Sequence, residues 1–227
     1  MARPKVPLIS RRKALEAALE IVDREGLEAL SIRRLGEALN VNGASLYHHF
    51  KNKDDILVGV TQLALADVTS PRSEHDSWRV WLPLNAYRTR QALVAHPALI
   101  PVLLRRVPLG IGAKEVEASI RRLEEEGVAI EAIAPLMESL ELLAIVSALQ
   151  EIGQFSGGLE DAEPAAVTAI RRAERASALT SEELFENLVS SVIASVETAV
   201  QLKQVRKARG KRTTPRTPRK PPIPTAS

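Results

Sequence analysis

Residues 31–50, SIRRLGEALNVNGASLYHHF, decide how this chain is read. Ile32, Leu35 and Leu39 are spaced i, i+3, i+7 and form one apolar face of a short helix. Ser31 stands just ahead of them, and a serine hydroxyl there accepts from a first-turn amide that has no partner inside the helix. The pattern breaks at Leu39-Asn40-Val41-Asn42. Asn40 falls where the chain must reverse, and asparagine is the non-glycine residue that best tolerates a left-handed backbone. Asn42 is placed to cap a second helix whose buried side is Leu46 and Phe50. Two helices of about eight residues each, joined so tightly, predict a helix-turn-helix.

The outer side of the second helix presents Asn42, Gly43, Ala44, Ser45, Tyr47, His48 and His49, with Lys51 and Lys53 following. Small residues at its start let the backbone come close to a groove, while amide, hydroxyl and imidazole groups read base edges or hold phosphates. Arg11, Arg12 and Lys13 precede the motif, and Arg33 and Arg34 lie on the polar side of its first helix. The adjacent pair His48-His49 is a poor chelate, because neighbouring helical side chains point about 100° apart. No metal is expected, and no cofactor.

Arg33-Arg34-Leu35, then Asn40-Val41, then residues 44–53, ASLYHHFKNK, resemble the signature of the TetR (tetracycline repressor-like) family of transcriptional regulators. The resemblance implies a base or phosphate contact at Arg33, phosphate contacts at Tyr47 and Lys53, and base-side or backbone contacts at Asn42, Gly43, Ala44, Ser45 and His49. Gly43 and Ala44 carry no hydrogen-bonding side chain. Readout is therefore expected to rest on Arg33 and His49, or on DNA shape.

Composition narrows the class. The 227 residues contain no cysteine, which excludes disulfides, thiolate metal sites and a cysteine nucleophile. Aromatic residues make up only 3%, and Ala, Leu, Glu and Arg abound, which favours an all-α protein. The beginning of the chain lacks a signal-like apolar run, and no uninterrupted apolar stretch approaches membrane-span length, so a cytoplasmic protein is expected. Net charge +3 is misleading until divided. Nine of the 31 basic residues follow Leu202, where there is no acid, leaving 22 bases against 28 acids in the body. The high pI therefore comes from the tail.

Caps and breaks divide the rest. Residues 1–9 are expected to be a flexible basic arm, and 10–69 a DNA-binding domain of three helices plus a connecting fourth. Its first helix carries Leu15, Ala18, Leu19 and Val22 and stops at Gly26, with Leu27 placed for a Schellman-type end. The fourth follows Asn52, has Asp54 and Asp55 in its first turn, and continues to about Val68. A larger helical domain is expected over 70–208. It holds helices at about Ser77–Ala95, Leu99–Arg106, Ala113–Glu126 and Ile130–Ile152, then a long last helix opened by the capping box Thr180-Ser181-Glu182-Glu183. Ile130–Ile152 is apolar nearly all round and must be covered on both sides. Phe185, Val189, Val192, Val196 and Ala199 form a seam suited to packing against another helix. Residues 209–227, basic and proline-rich, are expected to be disordered.

The order of segments from about Ala92 to Gln154 also resembles the ligand-binding domain of the tetracycline-repressor branch. That branch has a metal-binding histidine where this chain has Leu103, so a tetracycline–magnesium ligand is not expected. A pocket lined by Trp81, Leu84, Tyr87, Leu103, Met137 and Phe155 is expected instead, for a small, mostly apolar effector. No catalytic motif appears: no phosphate loop, nucleophile elbow or H-E-x-x-H. The chain reads as a homodimeric, ligand-responsive repressor of a pseudo-palindromic operator, and not as an enzyme. The alternative is a helical dimeric interaction or architectural protein whose only DNA affinity is nonspecific and comes from the tail.

Overall fold

Short-range side-chain caps start most of the helices. Ser10, Ser31, Asn42, Asn52 and Ser77 each accept a hydrogen bond from a backbone amide two or three residues ahead. In the computed structural model, which describes residues 9–66, 68, 77–105, 112–154, 163–176 and 179–212, these caps open α1 (Arg11–Glu25), α2 (Ile32–Ala38), α3 (Gly43–Leu46), α4 (Lys53–Ala64) and α5 (Trp78–Ala95). There follow α6 (Ile100–Leu104), α7 (Ala113–Glu125), α8 (Ile130–Glu151), α9 (Pro164–Ala176) and α10 (Ser181–Arg212). Every described element is helical, with 3₁₀ turns at Leu27–Ala29 and Pro97–Leu99.

The first core joins α1, α2, α3 and α4 through Ala14, Leu15, Ala18, Val22, Leu35, Leu46, Phe50, Ile56 and Val60. It also takes in Leu99 and Val102, so α6 and the turn before it plug into the base of the head. His96, which ends α5, holds Asp23 of α1 at 2.9 Å across the same junction. A second core packs α5, α7, α8 and α10 around Trp81, Leu123, Leu136, Leu140, Phe185 and Val189. A third small cluster, Leu93, Ile100, Leu103, Ile145 and Ala148, sits between α5, α6 and α8. α8 is long and apolar enough to span a bilayer by length and composition, yet here it packs against both α5 and α10.

A polar clamp ties α5 to α8 and α10. Arg90, 5% exposed, donates to Ser147 Oγ at 2.9 Å, pairs with Glu151 and stacks on the Phe185 ring. A second clamp secures α5 to α7: Glu126 accepts from the Trp78 amide, from Trp81 Nε1 at 3.0 Å and from Arg122. Burial pushes the Glu126 carboxyl up, but these three donors outweigh it and hold the group below its ordinary value. At the start of α10 the expected capping box forms: the Thr180 amide donates to Glu183 and the Glu183 amide to Thr180 Oγ1.

Four boundaries differ from expectation. α3 is one turn, four residues long, and the chain continues to His49 as turn. α4 ends at Ala64 rather than near Val68. Gly26 has the positive φ of 85° that a helix stop demands, but ψ of 168° sends the chain straight into a 3₁₀ turn and not into a Schellman loop. α10 runs to Arg212, so its helical backbone enters the stretch expected to be disordered from residue 209; the rest of that tail, residues 1–8 of the arm, and Phe155 lie outside the described residues.

Candidate nucleic-acid interface and ligand cavity

The turn between α2 and α3 is built by close backbone approach. Asn40 takes φ of 53°, among the described residues the one positive value outside glycine. The Val41 amide donates to the Gly36 carbonyl at 2.9 Å. A Cβ on Gly36 would stand 3.0 Å from the Val41 oxygen and 3.4 Å from the Gly43 nitrogen, so α2 and α3 cross with no room for a side chain. Gly36 was not singled out in the sequence.

This crossing leaves a surface depression bordered by Arg33, Asn40, Asn42, Gly43, Ala44 and Tyr47. Arg33 is extended into solvent, its side chain 90% exposed and only 3.4 Å from Glu37. Tyr47 is 62% exposed on the same surface. Ala44, Ser45 and His48 are exposed beside it; His49 is half-buried, edge-on to Phe50. Lys53 lies 3.8 Å from Glu28 at the start of α4, outside the depression. Arg34, equally basic in the sequence, is spent elsewhere: it makes a two-pronged pair with Glu25 of α1, and that hydrogen bond holds the Glu25 carboxyl below its ordinary value.

Arg11 is the support that sequence reasoning missed. Its guanidinium donates to the His49 carbonyl, reaches Asp55 at 3.1 Å and stacks 4.7 Å from the Phe50 ring centre. Asp55 in turn accepts from the Lys51 amide, which with Arg11 keeps its carboxyl below the usual range. One arginine therefore fixes the end of the α3 segment to α1 and to the start of α4.

The opposite end of α4 opens onto a cavity of about 250 Å³. Gln62, Leu65, Ala66 and Val68 form one wall; Trp81, Leu82, Asn85, Ala86 and Thr89 of α5 form another. Leu103, Gly112, Glu115, Val116, Ser119, Met137, Leu140 and Glu141 complete it. Trp81, Leu103 and Met137 stand in the expected lining. Leu84 and Tyr87 do not: Leu84 is 39% exposed, and the Tyr87 hydroxyl donates to Glu182 of α10. Helical phase explains this, since residues 82, 85, 86 and 89 share the cavity face while 84 and 87 lie about 100° or more around the helix.

Residues 14–60, which run from α1 into α4 and include this helix-turn-helix, match the family model of bacterial regulatory proteins, tetR family. That segment is a tetR-family helix-turn-helix by sequence. The chain is 34% identical over 91 residues to an HTH-type transcriptional regulator of Saccharopolyspora erythraea, covering 40% of this chain and 39% of that one. It is 27% identical over 145 residues to the class E tetracycline repressor protein of Escherichia coli, covering 63% and 69%. Among solved structures, ActR of Streptomyces coelicolor in complex with (S)-DNPA superimposes with a TM-score of 0.68 at 28% identity, over 86% of this chain and 100% of ActR. The aligned part thus spans about two fifths of the Saccharopolyspora relative, whereas the likeness to ActR extends through the helical body.

Proposed function

We propose that this chain is a TetR-family regulator, a ligand-responsive, sequence-specific DNA-binding protein, most simply a repressor, acting as a homodimer in the cytoplasm. The carrying observation is that α4 serves both surfaces: its first turn is tied through Asp55 and Arg11 to the α3 segment, and its last turns wall the cavity. Residues 10–69 read DNA and residues 70–208 bind the effector and dimerise. Arg33, Asn42, Ser45, Tyr47, His48, His49 and Lys53 contact DNA, and Gly43 and Ala44 allow the close approach. The effector enters the cavity and favours the α4 position that no longer fits the operator; its differential affinity for the two forms sets the response. ActR, which superimposes over its whole length, was solved with a small molecule bound, and this supports the reading.

The dimer is built on the outer faces of α8 and α10. Leu142 and Val146 on α8, and Leu184 and Leu188 on α10, are i, i+4 pairs left exposed on helices that pack against each other. A second copy burying the same four residues makes a two-fold, self-complementary helical interface. Two heads then address half-sites one helical turn of DNA apart.

The test is selection from a random duplex library at about 150 mM salt, where nonspecific binding is weakened, followed by gel-shift titration. An enriched inverted repeat, bound by wild type and lost in Arg33→Ala, supports the regulator. Enrichment of no sequence, with binding abolished by removing residues 210–227, favours the architectural alternative.

A further inference from the structure

The cavity lining has a charge bias. Two carboxylates reach it, Glu115 from the first turn of α7 and Glu141 from the middle of α8, and among the described lining residues there is no Lys, Arg or His. The remaining polar groups, Gln62, Asn85, Thr89 and Ser119, are neutral and each can accept a hydrogen bond. An anion would be drawn to the free amides at the start of α7, but Glu115 occupies that turn and offsets their field. Its carboxylate lies over Gly112, with Oε2 3.1 Å from where a Cβ would stand. Glu141 takes part in a further contact of its own, so Glu115, the more exposed of the two, is the acid that an entering ligand meets first. The rest of the wall is apolar, with Trp81 as its aromatic member.

We infer that the effector is a cationic amphiphile: a compact apolar or aromatic body that fills the Trp81–Leu103–Met137 side, carrying a protonated amine or quaternary nitrogen that sits by Glu115 and Glu141. This rests on the proposed function above, in which the cavity is the effector site. Buried apolar surface supplies affinity, and the carboxylates select the sign of charge.

Three probes of one shape test it by calorimetry at pH 7: 1-naphthylmethylamine, 1-naphthylmethanol and 1-naphthoate. The amine is expected to bind about tenfold more tightly than the alcohol, as a charge-assisted hydrogen bond permits, and the carboxylate most weakly. The double variant Glu115→Gln, Glu141→Gln, shown folded by its melting curve, is expected to lose the amine's advantage while keeping the alcohol's affinity. Alcohol and amine binding equally to the wild type would overturn the cation assignment and leave the cavity an effector site. An advantage for the amine that survives in the double variant would also overturn it. Failure of all three probes to bind would overturn both the assignment and the reading on which it rests.

Discussion

Replacing Arg11 with alanine removes one side chain and three attachments at once. The guanidinium bonds the His49 carbonyl, pairs with Asp55 at 3.1 Å and covers the Phe50 ring at 4.7 Å. Arg11 is 44% exposed in its side chain and Asp55 30%, so solvent screens the ion pair and it contributes about 0.5 kcal/mol. The stacked ring adds about 0.5 kcal/mol at such a site. The charged hydrogen bond to a backbone carbonyl adds roughly 1 kcal/mol. Because the three share one group they do not sum fully, and a loss of about 1.5 kcal/mol is expected. For a chain of this size that lowers the melting temperature by about 3–6 °C. Arg12 is the control on the same helix: its pair with Glu16 is an i, i+4 contact with the arginine 80% exposed, and Arg12→Ala should cost under about 0.5 kcal/mol. Urea titration of both variants measures the difference. Operator affinity should fall in Arg11→Ala as well, since the segment bearing His48 and His49 loses its anchor. Equal stability of the two variants would refute the claim that Arg11 holds the reading segment in place.

Arg33→Ala should weaken operator binding by about 1–3 kcal/mol per contact with little change in melting temperature, because its 90% exposed side chain makes a solvent-screened i, i+4 pair with Glu37 that adds little stability; a gel-shift titration beside a thermal melt checks both halves. Arg90→Met should cost about 2–3 kcal/mol in urea, less than the full penalty for breaking a buried pair because Glu151 is 42% exposed and rehydrates; an unchanged midpoint would mean that the clamp between α5, α8 and α10 is not stabilising. Glu126, held below its ordinary value by the Trp78 amide, Trp81 and Arg122, stabilises the folded chain above its unfolded-state pKa, and that contribution disappears as pH falls through the folded value. Stability of the wild type should therefore decline from about pH 5 downward more steeply than that of Glu126→Gln, as read from urea midpoints across the acid range.

What the sequence disclosed was local. Ser31, Asn40 and Asn42 act on backbone groups within three residues of themselves, so their roles follow from residue type and spacing alone; they place the turn and the start of each motif helix, though not the early end of α3 at Leu46. The Thr180–Glu183 box was legible for the same reason. The hidden features depend on long closures. Arg11 meets His49 and Asp55 across 38 and 44 positions, and nothing in a run of three basic residues says which one turns inward. Gly36 looks like an ordinary helical glycine until α3 is laid across it. Of the residues expected to line the cavity, Trp81, Leu103 and Met137 do so while Leu84 and Tyr87 do not, and the wall also uses Asn85, Ala86 and Thr89 of α5, Gln62 of α4 and Leu65 just after it. Side-chain size alone does not separate Trp81 from Leu84 and Tyr87; helical phase relative to a neighbour not yet placed was the missing quantity.

α4 can also be regarded as a lever. Its 12 residues span about 18 Å at 1.5 Å per residue. A tilt of about 5° around the cavity end therefore carries the Asn52 end through roughly 1.6 Å over that length. That distance exceeds the slack of a well-made hydrogen bond, whose donor–acceptor spread is about 0.5 Å. A ligand that shifts Leu65 by a fraction of a side chain thus has mechanical advantage over groups at the far end. The Arg11 brace ties the α3 segment to that end, so in the proposed response a displacement of α4 is passed to the reading surface.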